Sequence, residues 1–266
     1  VYIFFRKIFN LHYEFLTTYP KAYDFIRTHD PLLRWHPSKN QINWKELKNT
    51  VLNFKNFKAM KKIWPNSHTH ILDATSIKSY LYLQLLESKI NKLTQAYVCE
   101  IGSGTGNLAS LFYHHFKSKL FLVDLPKTLY FSFAHLSQSC PTARIALPHL
   151  VEAENFTPEN YDIIMITPQQ TSQIKDKVID LIINTHSMQE MKDETISFYF
   201  NLIDRIIKTK GHFFCANSME KVLDGKAIRF LEYPWRTNSK TIIFEKDPLL
   251  GLVNLSPSYI RLEQIP

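Results

Sequence analysis

Three groups of residues carry the chemistry this chain could perform. The first is the run Val98-Cys99-Glu100-Ile101-Gly102-Ser103-Gly104-Thr105-Gly106-Asn107-Leu108-Ala109. The whole chain has six glycines, and half of them fall here at alternate positions. Glycine permits positive φ and a close approach of backbone to ligand. Concentrated between an apolar strand and an apolar helix, these glycines read as a cofactor loop. Their spacing separates cofactors: a dinucleotide fingerprint reads G-x-G-x-x-G, whereas here the third glycine arrives one position early, at Gly106, and Asn107 takes the dinucleotide slot. The second group is Asp124, at the end of the next apolar run. A carboxylate there can accept hydrogen bonds from both hydroxyls of a ribose, although a strand-end Asp is also an ordinary helix cap. The third group is Asn184-Thr185-His186-Ser187-Met188-Gln189-Glu190. His186 can take a proton at neutral pH, and Glu190 can orient it or act as the base itself. Equally, His186 can bind substrate or pack the loop, and Glu190 can cap the helix that follows.

These groups need strands to deliver them. From Tyr97 the chain alternates strand and helix. Strands are expected over Ala96–Ile101, Leu120–Asp124, Tyr161–Ile166, Val178–Asn184 and His212–Ala216, with a short one over Arg144–Leu147. Pro126 suits the first turn of a helix running to Ser139. Ile196, Tyr199, Phe200, Ile203, Ile206 and Ile207 stripe a long helix that Gly211 is expected to cap. Thr241–Glu245 and Tyr259–Glu263 read as a closing antiparallel pair. Such alternation predicts an α/β fold, a doubly wound and mostly parallel sheet, which binds ligands beyond the carboxyl ends of its strands. Residues 1–94 contain no glycine and few strand signals. Leu83, Leu86, Ile90 and Leu93 recur at helical spacing and predict a helix over 75–93; earlier helices break at Pro20, Pro31, Pro37 and Pro65. The expected organisation is a helical N-terminal extension or lid over 1–94 and a cofactor-binding domain over 95–266.

Composition narrows the partners. The 266 residues are 45% hydrophobic and 21% charged, values of a globular chain able to bury a full core. The net charge of +8 favours anionic partners without choosing among them. Three cysteines in no C-x-x-C arrangement make neither a disulfide framework nor a zinc motif, and a reducing cytoplasm is the expected setting. No apolar run is long enough to span a bilayer; Val1–Phe5 leaves room for a peripheral membrane contact. His68 with His70 and His114 with His115 lack an acid at metal-ligand spacing, so no metal is assigned. Lys55–Trp64 mixes basic and aromatic residues, as a nucleic-acid surface or a solvated helix face does. Pro168-Gln169-Gln170 offers amides to an adenine edge or forms an ordinary loop. Arg229, Glu232, Tyr233, Trp235 and Arg236 could hold an acceptor or pack on the surface.

The run E-x-G-x-G-x-G from Glu100 resembles the first motif of class I S-adenosylmethionine-dependent methyltransferases. Three pieces in order are similar to a bacterial sugar O-methyltransferase family: the E-I-G-x-G-x-G loop, Val123-Asp124-Leu125-Pro126 followed by Thr128-Leu129, and Ile183-Asn184-Thr185-His186-Ser187-Met188-Gln189-Glu190-Met191. The likeness covers about residues 75 to 235. It implies a Rossmann-like fold and S-adenosylmethionine as cofactor, held by Glu100, Gly102, Ser103, Gly104, Gly106, Asn107, Asp124, Leu125, Asn184 and Thr185. It further implies methyl transfer to a sugar hydroxyl of a surface polysaccharide or its precursor, with a small-molecule or glycan acceptor. On chemical grounds His186 or Glu190 would remove the proton. Two other functions compete. An RNA methyltransferase fits the charge, but Asn184-Thr185-His186-Ser187 is not the N-P-P-[YF] type of motif that stacks a flipped base, which disfavours nucleic acid. A non-catalytic binding subunit on the same fold is the other. The oligomeric state is not legible in the sequence.

Overall fold

The computed structural model describes residues 74–247 and 257–266. The expected helices before Pro65, the Lys55–Trp64 stretch, the His68 and His70 pair, the Val1–Phe5 run and most of the expected 1–94 extension lie outside the described residues.

The described chain opens with helix α1 (Ala74–Lys89). Strand and helix then alternate: β1 (Tyr97–Ile101), α2 (Asn107–Phe116), β2 (Lys119–Val123), α3 (Pro126–Ser139), β3 (Ile145–Ala146), α4 (Pro148–Val151), β4 (Ile163–Ile166), β5 (Ile179–Thr185), α5 (Asp193–Ile206) and β6 (Ile207–Ser218). A hairpin, β7 (Glu220–Leu223) with β8 (Lys226–Arg229), precedes the closing strands β9 (Lys240–Lys246) and β10 (Ser258–Gln264). The main sheet has the order β3-β4-β2-β1-β5-β6-β10-β9. Its pairs are parallel from β3 through β6 and antiparallel from β6 to β9. The expected closing pair is therefore present.

Burial on both faces explains why the central strands read as unbroken apolar runs. Val98, Leu120, Leu122, Leu181, Ile183 and Phe214 join Leu83, Leu86, Leu111, Phe112 and Leu136 in one core. Their strand neighbours Cys99, Ile101, Phe121, Val123, Ile182 and Phe213 join Ile196, Phe200 and Ile203 on the other face. Helix α1, the described part of the expected extension, thus contributes Leu83 and Leu86 to the domain's own core. Cys99, Cys140 and Cys215 are free and buried, as small hydrophobes are.

One boundary differs from expectation. Gly211 does not cap the long helix, which ends at Ile206 and passes directly into β6. The register against β5 shifts here, from Ile179↔Ile207 to Leu181↔His212. A Cβ on Gly211 would lie 2.8 Å from both Ile207 Cγ1 and the Lys208 carbonyl oxygen, so glycine is required by crowding inside an irregular strand. The β7–β8 hairpin has a local sequence signal: Asp224-Gly225, both at positive φ (49° and 79°), is a two-residue turn of the kind Asp-Gly favours.

The chain runs outward from β1 to β2 and β4, then returns to lay β5 on the other side of β1. The carboxyl ends of β1 and β5, adjacent through Ile101↔Asn184, are the switch point where an open α/β sheet forms its crevice.

Candidate active site

The glycine loop leaves β1 at this crevice and enters α2. Gly102, Gly104 and Gly106 all have positive φ (75°, 55° and 80°), a region L-residues with side chains rarely adopt. Space differs among them. A Cβ on Gly102 would come 2.1 Å from Ser187 Oγ, and one on Gly106 would come 2.9 Å from Leu136 Cδ1, whereas at Gly104 it would meet nothing within 4 Å. Gly102 and Gly106 permit close packing; Gly104 leaves an open cradle. The loop is clamped from the next βα unit. Gly104 N donates to Asp124 Oδ2 (2.9 Å), and Ser132 Oγ of α3 donates to Gly104 O (2.5 Å). Gly102 N donates to Val123 O (2.8 Å).

Asp124 also takes the Leu125 amide on Oδ1 (2.7 Å). Burial raises its carboxyl pKa, opposed by the Gly104 and Leu125 amides and the Thr128 side chain. An ionised carboxylate offers about four lone-pair sites; the Gly104 and Leu125 amides and the Thr128 side chain take three, which leaves Asp124 one for a ribose hydroxyl. Leu125 beside it is 61% exposed, an apolar side chain bare at the lip of the crevice. Glu100 is buried at the end of β1, and burial, then the charge of Asp124, push it up from 4.5 to about 8. Ser103 Oγ is buried with no hydrogen-bond partner among the described residues. Asn107 begins α2, where the first amides of a helix are free donors.

The β5 end is built differently. Asn184 is fully buried. Its Nδ2 donates to Ile101 O (2.9 Å) and Ser187 Oγ (2.5 Å), while Oδ1 accepts from Asn217 Nδ2 (2.8 Å) and Met188 N (3.4 Å). All its hydrogen-bonding capacity is spent inside the protein. The Asn184 side chain therefore ties the β1 loop to the β5 loop and has no hydrogen bond left for the cofactor expected there. Thr185 pairs with Ala216 and is half-buried.

His186 follows at φ 58°, outside the ordinary regions for a residue with a side chain, and its amide donates to Ala216 O (2.7 Å). The ring Nε2 stands 3.2 Å from Tyr82 Oη of α1, and the Tyr82 hydroxyl donates to the carboxylate of Asp247, just past β9. Tyr82 is itself buried, edge-on to Phe214 (centroids 5.3 Å apart). Burial, then the positive charge of Lys78, hold the His186 pKa well below 6.5, with the Gln189 side chain acting the other way. The imidazole is therefore neutral at physiological pH. Gln189 is fixed through Ser218 N to its Oε1 (2.7 Å), and its buried Nε2 has no hydrogen-bond partner among the described residues.

Glu190 is not part of this cluster. It is exposed and pairs with Lys221 of β7 (2.9 Å). The orienting contacts that the sequence suggested for Glu190 are made to His186 by Tyr82, with Asp247 behind it.

Other candidates resolve into structure. Gln170 Nε2 donates to Pro148 O and Glu152 Oε1, and its Oε1 accepts from Thr167 N; this spent amide cannot read an adenine edge, while Gln169 is exposed. Arg229 pairs with Glu220 and Glu232. Tyr233 and Trp235 pack with Phe230, and Arg236 pairs with Asp204 and lies over Phe200. The adjacent histidines diverge, His114 to Ser139 O and His115 to Glu87. No helix among the described residues is long and apolar enough to cross a membrane.

No protein-family model and no curated protein sequence matches the chain. Solved structures do. Magnesium protoporphyrin IX methyltransferase from Synechocystis PCC 6803, solved with bound SAH, aligns at 11% identity over 84% of this chain and 100% of its own, with a TM-score of 0.50. The PH0226 protein from Pyrococcus horikoshii OT3 aligns at 13% identity over 79% of this chain and 100% of its own (TM-score 0.49). The match with a methyltransferase structure from Galdieria sulphuraria spans 54% of this chain and under half, 46%, of that one, at 14% identity (TM-score 0.41). With its strand order, switch-point loop and antiparallel closing strands, this chain has the Rossmann-like fold of the class I methyltransferases.

Proposed function

We propose that the chain is an S-adenosylmethionine-dependent O-methyltransferase whose acceptor is a small hydroxyl compound, a sugar or sugar precursor. The observation that carries this reading is the crevice between β1 and β5. A positive-φ glycine loop bonded to Asp124 lies there beside a neutral, strained His186. The residues present fit the cofactor. The open cradle at Gly104 and the free amides opening α2 suit its carboxylate end. The buried Glu100 suits its ammonium, the orphaned Ser103 Oγ gives a further polar contact, and Asp124 suits a ribose hydroxyl. When bound, the cofactor supplies an already activated methyl group. The protein's remaining task is to position a hydroxyl and receive its proton. His186 does the second. The sugar preference rests on the sequence likeness over residues 75–235.

Calorimetric titration with S-adenosylmethionine and S-adenosylhomocysteine tests the cofactor. Micromolar binding is expected, weakened on the order of tenfold to a hundredfold by Asp124→Ala, as loss of charge-assisted hydrogen bonds worth about 1.5–3 kcal/mol predicts. No binding of either ligand would refute the reading and favour a non-catalytic subunit. Turnover with nucleotide-sugars and other hydroxyl compounds then tests the acceptor; methylation of amines alone would refute O-transfer.

A further inference from the structure

The Tyr82–His186–Asp247 cluster determines which nitrogen of His186 is the base, an inference that rests on the methyltransferase reading only for its use in catalysis. Three elements far apart in the chain meet here: Tyr82 lies 104 residues from His186 and 165 from Asp247. Tyr82 has one hydroxyl proton, and it goes to the Asp247 carboxylate. Toward His186 the phenolic oxygen can then only accept. At 3.2 Å from Nε2, it calls for a hydrogen on that nitrogen. A neutral imidazole has a single N–H. The other nitrogen, Nδ1, is left with its lone pair.

We propose that Tyr82 and Asp247 act as positioning residues that lock neutral His186 as the Nε2–H tautomer, so that Nδ1 is the atom that takes the acceptor's hydroxyl proton. In the proton step the acceptor's O–H bond breaks, its electron pair stays on oxygen, and an N–H bond forms at Nδ1. The imidazole becomes imidazolium. Its new positive charge, shared with Nε2–H, faces the Tyr82 oxygen, which Asp247 polarises from behind. The same carboxylate is the compensating charge: burial and Asp247 hold the Tyr82 pKa well above 10, so the phenol keeps its proton throughout. Lys78, also on α1, acts against imidazolium formation, and a hydrogen bond between the His186 ring and the Gln189 side chain favours it. Tyr82 supplies the shape as well: its ring packs on Phe214, so the oxygen that fixes the tautomer is itself held.

Nitrogen NMR tests this without cofactor or acceptor. The full chain is prepared with 15N in its histidine rings, and His186 is identified by the signals that vanish in His186→Gln. Above its titration range, His186 is expected to show a protonated Nε2 and an unprotonated Nδ1. In Tyr82→Phe, which keeps the ring and removes only the oxygen, both signals should move toward the average of two interconverting tautomers. Turnover should fall about tenfold at unchanged cofactor affinity, the loss of one buried hydrogen bond to a charged group. A protonated Nδ1 in the unsubstituted protein would overturn the proposal even if Tyr82→Phe failed to fold. So would an unchanged ring in a folded Tyr82→Phe. These outcomes are separate from the fate of the functional reading. A fixed Nε2–H tautomer in a protein that binds no S-adenosylmethionine would sink only the reading. A Nδ1–H tautomer in a protein that binds it would sink only the proposal.

Discussion

The two sides of the crevice are assembled on different principles. The proposed cofactor side, at the ends of β1 and β2, is local. Glu100, the three glycines and Asp124 lie within one βαβ unit, and the Asp124–Gly104 hydrogen bond spans 20 residues. The proposed acceptor side, at the end of β5, is convergent. His186 depends on Ala216 of β6, Tyr82 of α1 and Asp247 beyond β9. One side stores its geometry in backbone conformation; the other stores it in a buried polar network whose members must all be present. Substitutions on the first should therefore act on folding and cofactor affinity together, and substitutions on the second on turnover rather than on cofactor affinity.

The sharpest separation is expected at His186. If His186 is the base proposed above, His186→Gln removes the proton acceptor and should lower turnover on the order of 10²–10⁴-fold, the usual weight of a positioned base. Cofactor affinity, measured by calorimetry, should stay unchanged. A parallel loss of affinity would merge the two sides into one.

On the cofactor side the discriminating pair is Gly102 and Gly104. Both have positive φ, so alanine at either costs about 1–2 kcal/mol in backbone strain. Only at Gly102 does the added Cβ run into Ser187, adding about 1–3 kcal/mol of overpacking. Denaturant midpoints should rank Gly102→Ala well below Gly104→Ala. Gly104→Ala should instead weaken cofactor binding, because its methyl projects into the cradle. The reverse ranking would mean that the loop is held by something other than Asn184 and Ser187.

This asymmetry also explains what could be read from the sequence. The glycine loop, Asp124 and the alternation of strand and helix were legible because each is written in neighbouring residues: an apolar run, a turn, a helix start. Tyr82 was hidden because it sits beside Leu83 in a helix whose apolar stripe already accounted for burial; only the rule that a buried Tyr hydroxyl needs a partner marks it. Asp247 has no local signature at all. Asn184 looked like a ligand because it is a polar residue at a strand end. Its amide is consumed by Ile101, Ser187, Met188 and Asn217, partners that a linear reading cannot supply. Gly211 misled for the same reason: the crowding that requires it comes from the irregular pairing of β6 with β5.

A smaller effect, specific to the cofactor side, follows from Glu100. Its pKa of about 8 in the folded chain stands above its ordinary 4.5, so the folded state binds a proton that the unfolded state releases. This group's contribution to stability is fully present below pH 4.5 and is lost as pH rises through 8. Binding a cation beside Glu100 requires the proton to leave. Cofactor affinity should therefore rise between pH 5 and 8 by up to about tenfold per pH unit, and the calorimetric enthalpy should change with the buffer's own ionisation. Glu100→Gln should flatten the pH dependence of both stability and affinity. A pH-independent affinity in the unsubstituted protein would place the ammonium elsewhere.

The smallest expected effect is the most economical test of the division. Glu190 and His186 sit four residues apart at the end of β5, and either can remove a proton in principle. Their surroundings separate them. His186 is held in a strained backbone against a buried tyrosine, while the Glu190 carboxylate is 45% exposed and meets Lys221 across the surface. A surface ion pair contributes about 0–1 kcal/mol, so Glu190→Gln should leave stability within about 1 kcal/mol and turnover within roughly twofold. A fall on the order of 10²-fold, with His186→Gln harmless, would move the base onto the surface loop. The convergent network around Tyr82 would then only hold the end of β5 in shape, beside a base carried by Glu190.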